Sequence, residues 1–419
     1  ESGKNKGAYV SMVQIESKAN EVVNSGWGKT RRQMLTDMVD QHILVHNDGD
    51  EMIDGNRNYY LSRSGAPIHI SKLGTNIAEG TGMEVEGGLQ VYLNNDDKAE
   101  NDFTCRVEKG YDLSHGYGNG HTFFLDRPMQ PTVFNVYQVL ERMSNPTLGY
   151  TKFASMCKDL VYGANEDLLK KIFPEESKKD TWNTEKQKYA IYASSTTGGR
   201  YTASGTNLIR FFNNYRYTIF VPSDAAIDQA INEGLLTLSS IEAFCNEADN
   251  NVGGKLTEEA KAKAQAMYTC LVNFLKCHFI DQSYFVDKYT DRKVSLSQSA
   301  CSDDVKKTFI PVAIKHVAGG LEVFDARSTF DNAGNVYKDK HVNVKTDNKA
   351  LFNQFARDYE ADDKAGAARE IKSSSYVVLH TLKDKEFLLF DANLEGNFAK
   401  RWATTAVAKA FVKKFRLKK

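Results

Sequence analysis

The chain lacks most of the features by which a sequence reveals its chemistry. Acidic and basic residues balance, 54 Lys plus Arg against 54 Asp plus Glu in 419 residues, so no net field draws it toward nucleic acid or an anionic surface. No apolar run approaches the roughly 20 residues that span a bilayer. It opens on E-S-G-K-N-K-G without a signal peptide, the expected look of a mature or trimmed end, one from which an export signal could have been removed. There is no H-E-x-x-H and no CxxC. Zinc needs three or four converging ligands, so no metal is expected. The acidic pieces Asn47–Glu51 and Asn94–Asp97 lack the closing glutamate of an EF-hand and read as loops. There is no G-x-S-x-G nucleophile turn. The glycine-rich Gly116–Gly120 precedes the strand-like H-T-F-F-L rather than a helix, so it reads as a hairpin turn and not a phosphate loop. Together these absences predict no cofactor and no enzyme. A carboxylate pair for glycoside hydrolysis, set only by spatial separation, is the enzymatic route left open.

The six cysteines are Cys105, Cys157, Cys245, Cys270, Cys277 and Cys301. Cys270 and Cys277 stand seven apart on a predicted helix, about 10 Å along its axis, beyond disulfide reach. Most read as buried thiols; one long-range disulfide stays open.

What is present centres on Tyr217–Ile227, Y-T-I-F-V-P-S-D-A-A-I. A short apolar strand is stopped by Pro222. Ser223 and Asp224 then stand where a helix N-cap belongs, and Gly234 suits the helix end. Other pieces recur in order. I-E-S-K-A-N-E-V-V-N-S-G, ending at Gly26, parallels the helix that ends at Gly234. Leu35–His42 parallels Leu271–His278, each an amphipathic helix closing on a histidine. Val85–Val91 (V-E-G-G-L-Q-V) parallels Val317–Val323 (V-A-G-G-L-E-V), sharing both valines, the glycine pair and the leucine; each reads as a Gly-Gly hairpin. Thr122–Arg127 parallels Tyr376–Thr381 as a closing strand. The ordered set indicates an internal repeat.

The run Thr218, Phe220, Pro222, Ser223, Asp224, Ala226, Ile227 resembles the fasciclin signature T-x-F-x-P-[ST]-[DN]-x-A-[FI]. With the repeat, the chain resembles a tandem fasciclin-domain protein. That resemblance implies an α+β fold of two tandem domains, each a β-strand wedge or sandwich flanked by α-helices. It also implies a non-enzymatic adhesion or binding role at a cell surface or outside the cell. The expected domains are 1–131, whose front part is missing or reduced, and 132–396, with insertions at about 180–206 and 328–366. A basic tail, 397–419, follows. The opening helices of the second domain cover Phe134–Met143, Phe153–Leu160 and a stretch to about Phe173; the first domain has no counterpart, as for a chain that starts inside it. R-P-M-Q-P-T marks the boundary. Leu351–Tyr359 reads as a short helix and Glu386–Phe390 as a last strand.

In the fasciclin family a tyrosine–histidine pair, linked in some animal members to adhesion, occupies the place of His42 and His278. Here Gln41 and Cys277 replace the tyrosine. Each histidine is therefore expected to hydrogen-bond backbone and hold helix to sheet. Partner-binding residues are expected on the insertions and the tail. Tyr189, Tyr192 and Tyr201, with Tyr215 and Tyr217, would form an aromatic platform, and Lys413, Lys414 and Arg416 a basic contact. The expected partner is a protein or a polysaccharide. The divergence suggests a bacterial surface protein tethered by a lipid anchor upstream of Glu1. A structural spacer in a surface assembly is the alternative, and a hydrolase with an unrecognised site the remaining one. Oligomeric state is left open.

Overall fold

A computed structural model describes residues 35–402, apart from 37, 46–52, 54, 74–79, 96–101, 114–119, 133, 194–208, 210, 213–215, 251–255, 303–307 and 362–370. The chain is α+β. It divides into two compact units. The first is drawn from Glu1–Phe134 and Phe355–Tyr376, the second from Asn135–Thr196, Gly205–Gln354 and Val377–Lys419. The sequence expectation placed the boundary at 131.

The first unit holds a five-stranded antiparallel sheet in sequence order: β1 (Tyr59–Leu61), β2 (Pro67–Lys72), β3 (Glu84–Gly87), β4 (Cys105–Asp112) and β5 (His121–Leu125). Alternation sends one side of each strand inward. Ile68, Ile70, Val85, Cys105 and Val107 meet Met83 and Met129 in the core, with Phe123 and Leu125 packed against them. β1 and β5 are its edge strands.

The second unit is built on a longer run of paired strands. They are β6 (Arg216–Val221), β7 (Phe279–Asp281), β8 (Ser295–Ser302), β9 (Phe309–Val317), β10 (Gly320–Phe324) and β13 (His341–Asn343), ordered β13-β10-β9-β8-β7-β6, with the last part of β15 (Ile371–Thr381) beside β6; β14 (Gln354–Ala361) and the start of β15 fall within Phe355–Tyr376 of the first unit. A small ribbon of β11 (Thr329–Phe330) and β12 (Val336–Lys338) stands apart from that run. Helices Val136–Met143, Lys152–Asp159 and Glu166–Ile172 open the unit. Asp224–Asn232, Leu238–Asn250 and the long Glu258–Lys276 follow β6. Among the described residues no helix is long and apolar enough to cross a membrane.

Four expectations are corrected. Val85–Val91 is not a hairpin like Val317–Val323. Val317 pairs with Gly320 across a tight turn, made possible by Gly319 at φ +67°. Val85–Gly87 instead ends β3, and Gly88–Asn94 is a helix. The difference lies in Gln90, whose side-chain oxygen accepts from the Gly87 N–H at 2.9 Å and from the Gln130 N–H at 2.9 Å. It thereby caps a helix start that Glu322, at the same place in the other copy, does not.

Leu351–Tyr359 is not helical. A single 3-10 turn, Lys349–Leu351, gives way to β14. Asn353 makes the break. It takes φ +48° and its amide grips Val286 at both N–H and C=O, each at 2.9 Å. Glu386–Phe390 is no strand either. It is a buried irregular run fastened by side chains, with Leu388 N–H on His278 and Leu389 N–H on Asp325.

The segment 180–206 is not wholly an exposed excursion. Its first part folds inward through Trp182, Tyr189, Ile191 and Tyr192, all buried. The backbone of 191–192 bonds to Leu160 and Tyr162. Residues 194–206 of this segment lie outside the described residues.

Candidate interaction surface

Thr218, Phe220, Ser223, Ala226 and Ile227 of the Tyr217–Ile227 run are buried. Thr218 on β6 donates its hydroxyl to the Gln282 carbonyl at 2.8 Å and accepts from the Tyr284 N–H at 3.0 Å. It ties β6 to the chain leaving β7. Phe220 is fully buried and stacks on His380, centroids 5.6 Å apart. Pro222 has no N–H with which to extend the ladder. Ser223 is the N-cap of Asp224–Asn232, its hydroxyl accepting from the Ala226 N–H at 3.1 Å.

Asp224 works elsewhere than its place in the sequence suggests. Its carboxylate accepts from the backbone N–H of Thr151 at 2.7 Å and of Lys152 at 2.6 Å, and from the Thr151 hydroxyl at 2.8 Å. It caps the helix Lys152–Asp159, whose own N-cap residue makes no side-chain cap bond. One carboxylate thus satisfies orphan donors of a helix more than 70 residues earlier.

Both candidate histidines are held in the same way, one in each unit. His278 donates from Nδ1 to the Phe274 carbonyl at 2.8 Å and accepts at Nε2 from the Leu388 N–H at 3.1 Å. His42 donates from Nδ1 to the Met38 carbonyl at 2.6 Å and accepts at Nε2 from the Met129 N–H at 2.9 Å. In each case the ring joins the carbonyl four residues back to an N–H far along the chain. In His278, a donor at one nitrogen and an acceptor at the other make the ring neutral. For His278, burial pushes the pKa down to about 3. The neighbouring Cys277 thiol is raised well above its usual range, chiefly by burial. All six cysteines are free and buried. For Cys105 and Cys270 burial lifts the pKa to about 12. These groups are poorly suited to shuttle protons or act as nucleophiles near neutrality.

Of the residues expected to form an aromatic platform, the three that are described are buried. Tyr189 is 8% exposed and stacks on Phe173 at 4.4 Å. Tyr192 is 0% exposed and Tyr217 is buried. Their rings supply the apolar area that anchors a polar stretch to the core, which composition alone could not show. Tyr201, Tyr215, Lys413, Lys414 and Arg416 lie outside the described residues.

A shallow cleft of about 190 Å³ is lined by Gln229, Glu233, Arg327, His341, Lys385 and Glu386, among others. Most of its charged groups are already engaged. Arg327 donates to Asp325 and to the Phe387 carbonyl, the Asn343 N–H donates to Glu386, and Gln229 donates to Glu233.

An aromatic surface stands instead on the β4–β5 ribbon of the first unit. Lys109 pairs with Phe124 and Tyr111 with Thr122, so the four side chains share one face. The opposite face carries Val107, Phe123 and Leu125 toward the core. A register shift between Val107 and Lys109 brings Lys109 opposite Phe124. Tyr111 and Phe124 are 43% and 55% exposed, with Leu113 beyond them at 52%. The two rings meet edge to face, centroids 5.8 Å apart, and the Lys109 ammonium lies 4.7 Å from the Tyr111 centroid. The sequence carried a signal for this. Phe123 and Phe124 are adjacent in a strand, and a strand sends neighbours to opposite faces, so one of them had to face out. No family model, curated protein or solved structure matches the chain.

Proposed function

We propose that the chain is a non-enzymatic binding module of the cell surface or extracellular space, built of two fasciclin-like units. The fasciclin reading is supported by the Thr218–Ile227 junction and by the histidine device occurring once in each unit. The observation that carries the binding function is the β4–β5 ribbon, where two aromatic rings and a leucine are displayed on a structured edge. Exposed apolar clusters on ordered strands mark contact surfaces. The buried His278 and the buried thiols supply no nucleophile or base near neutrality, which favours contact over catalysis.

The test is an array of glycans and cell-surface proteins probed with the purified chain and with Tyr111→Ser. Saturable binding weakened in the variant supports the reading. Saturable binding unaffected by it moves the site off the ribbon. Silence across the array favours the spacer alternative. Turnover of an arrayed glycan would refute the non-enzymatic reading.

A further inference from the structure

The composition of the ribbon face narrows what it contacts. Lys109 and Phe124 are directly opposed, which sets their Cβ atoms about 5 Å apart. The Lys109 ammonium rests over Tyr111 and, among the described residues, makes no ion pair. Glu108, the residue before it, is exposed and does not pair with it. Among the described residues, the face is thus aromatic with one cation that no acid pairs.

Its size matters as much as its chemistry. Tyr111, Leu113 and Phe124 together offer on the order of 300 Å² of open surface. A specific protein–protein contact buries about 800 Å² on each partner. Among the described residues, the patch offers less than that, an apolar area that matches a few sugar rings, whose C–H faces pack on aromatic carbon by dispersion and release of water. The unpaired ammonium selects for negative charge on the sugar. Resting on the binding-module reading above, we infer that this face binds an acidic glycan, with the C–H face of a charged sugar on Phe124 and its anionic group on Lys109.

The experiment measures affinity of the full chain for polygalacturonate and its methyl ester, and for a sulfated galactan and the unsulfated polymer. The expected result is binding to at least one acidic polymer, with its neutral counterpart bound at least about tenfold more weakly. Phe124→Ala weakens that binding about tenfold. Lys109→Gln weakens it about fivefold and flattens its salt dependence. Both side chains are exposed, and unchanged thermal unfolding of the variants establishes that the fold is retained.

Equal binding to acidic and neutral forms, or full affinity in both variants, overturns the inference. So does failure to bind either acidic polymer. If the array then still yields a protein ligand lost in Phe124→Ala, the binding module stands and the glycan assignment falls. If the array is silent too, both fall.

Discussion

The buried histidines make stability depend on pH in a way that can be worked out. His278 is fully buried and neutral, and desolvation brings its pKa to about 3. His380 is buried in the same unit, its Nε2 donating to the Tyr284 carbonyl at 2.9 Å, and desolvation brings its pKa to about 4. In the unfolded chain an imidazole titrates near about 6.5. Above that pH both states are neutral and the full stability is present. Below it the unfolded state takes up protons that the folded state refuses, so stability falls until the folded pKa is reached. At pH 5 each ring costs about 2 kcal/mol relative to pH 8, and the pair about 4 kcal/mol. Glutamine at 278 offers a donor and an acceptor without titrating. His278→Gln should therefore be less stable than the parent at pH 8 but lose about 2 kcal/mol less on going to pH 5. Denaturant unfolding at pH 8, 6 and 5, followed by the fluorescence of Trp182 and Trp402, both buried in the second unit, measures this. Parallel loss of stability in parent and variant would show that His278 is not the neutral clamp described here.

Two further outcomes follow from hydrogen bonding and packing. Asp224→Ala leaves the N–H groups of Thr151 and Lys152 and the Thr151 hydroxyl without their acceptor, and should destabilise the second unit by about 2–3 kcal/mol. Asp224→Asn, which keeps one acceptor oxygen, should lose roughly half as much in the same urea titration; equal losses would mean the cap is not the cause. Gly87→Ala would place a methyl 2.3 Å from the Gln130 carbonyl oxygen, whereas a Cβ on Gly120 meets nothing within 4 Å. The first should lower the unfolding midpoint of its unit by an overpacking cost of about 1–3 kcal/mol, and Gly120→Ala should change it little.

Local elements were legible where local rules govern them. The strand halted at Pro222, the Ser223 cap and the helix after it follow from residues within ten positions of one another. So do the amphipathic helices that open the second unit, whose apolar spacing leaves one face to bury. Both His-ended helices were visible as well, because i, i+4 contacts to Met38 and Phe274 lie within a single turn.

What failed was decided at a distance. The sequence V-E-G-G-L-Q-V looks like V-A-G-G-L-E-V, yet one is strand then helix and the other a hairpin. The Gln130 N–H that shares the Gln90 cap lies 40 residues downstream. Tyr189 and Tyr192 sit in a polar stretch and were expected outside. They are inside because Phe173, Tyr268 and Leu160 lie where their rings and backbone need partners.

By itself, then, the sequence determined the periodicities, caps and stops, and through the Phe123–Phe124 doublet that one aromatic ring of β5 must face outward. Only the tertiary structure decided which ring it is, that Lys109 stands opposite it, and that Asp224 caps the helix Lys152–Asp159 rather than its own. The physical reason is that hydrogen-bond and packing partners are chosen by proximity in space. A residue's own neighbours in sequence constrain its backbone, but not which distant N–H or ring arrives to meet its side chain.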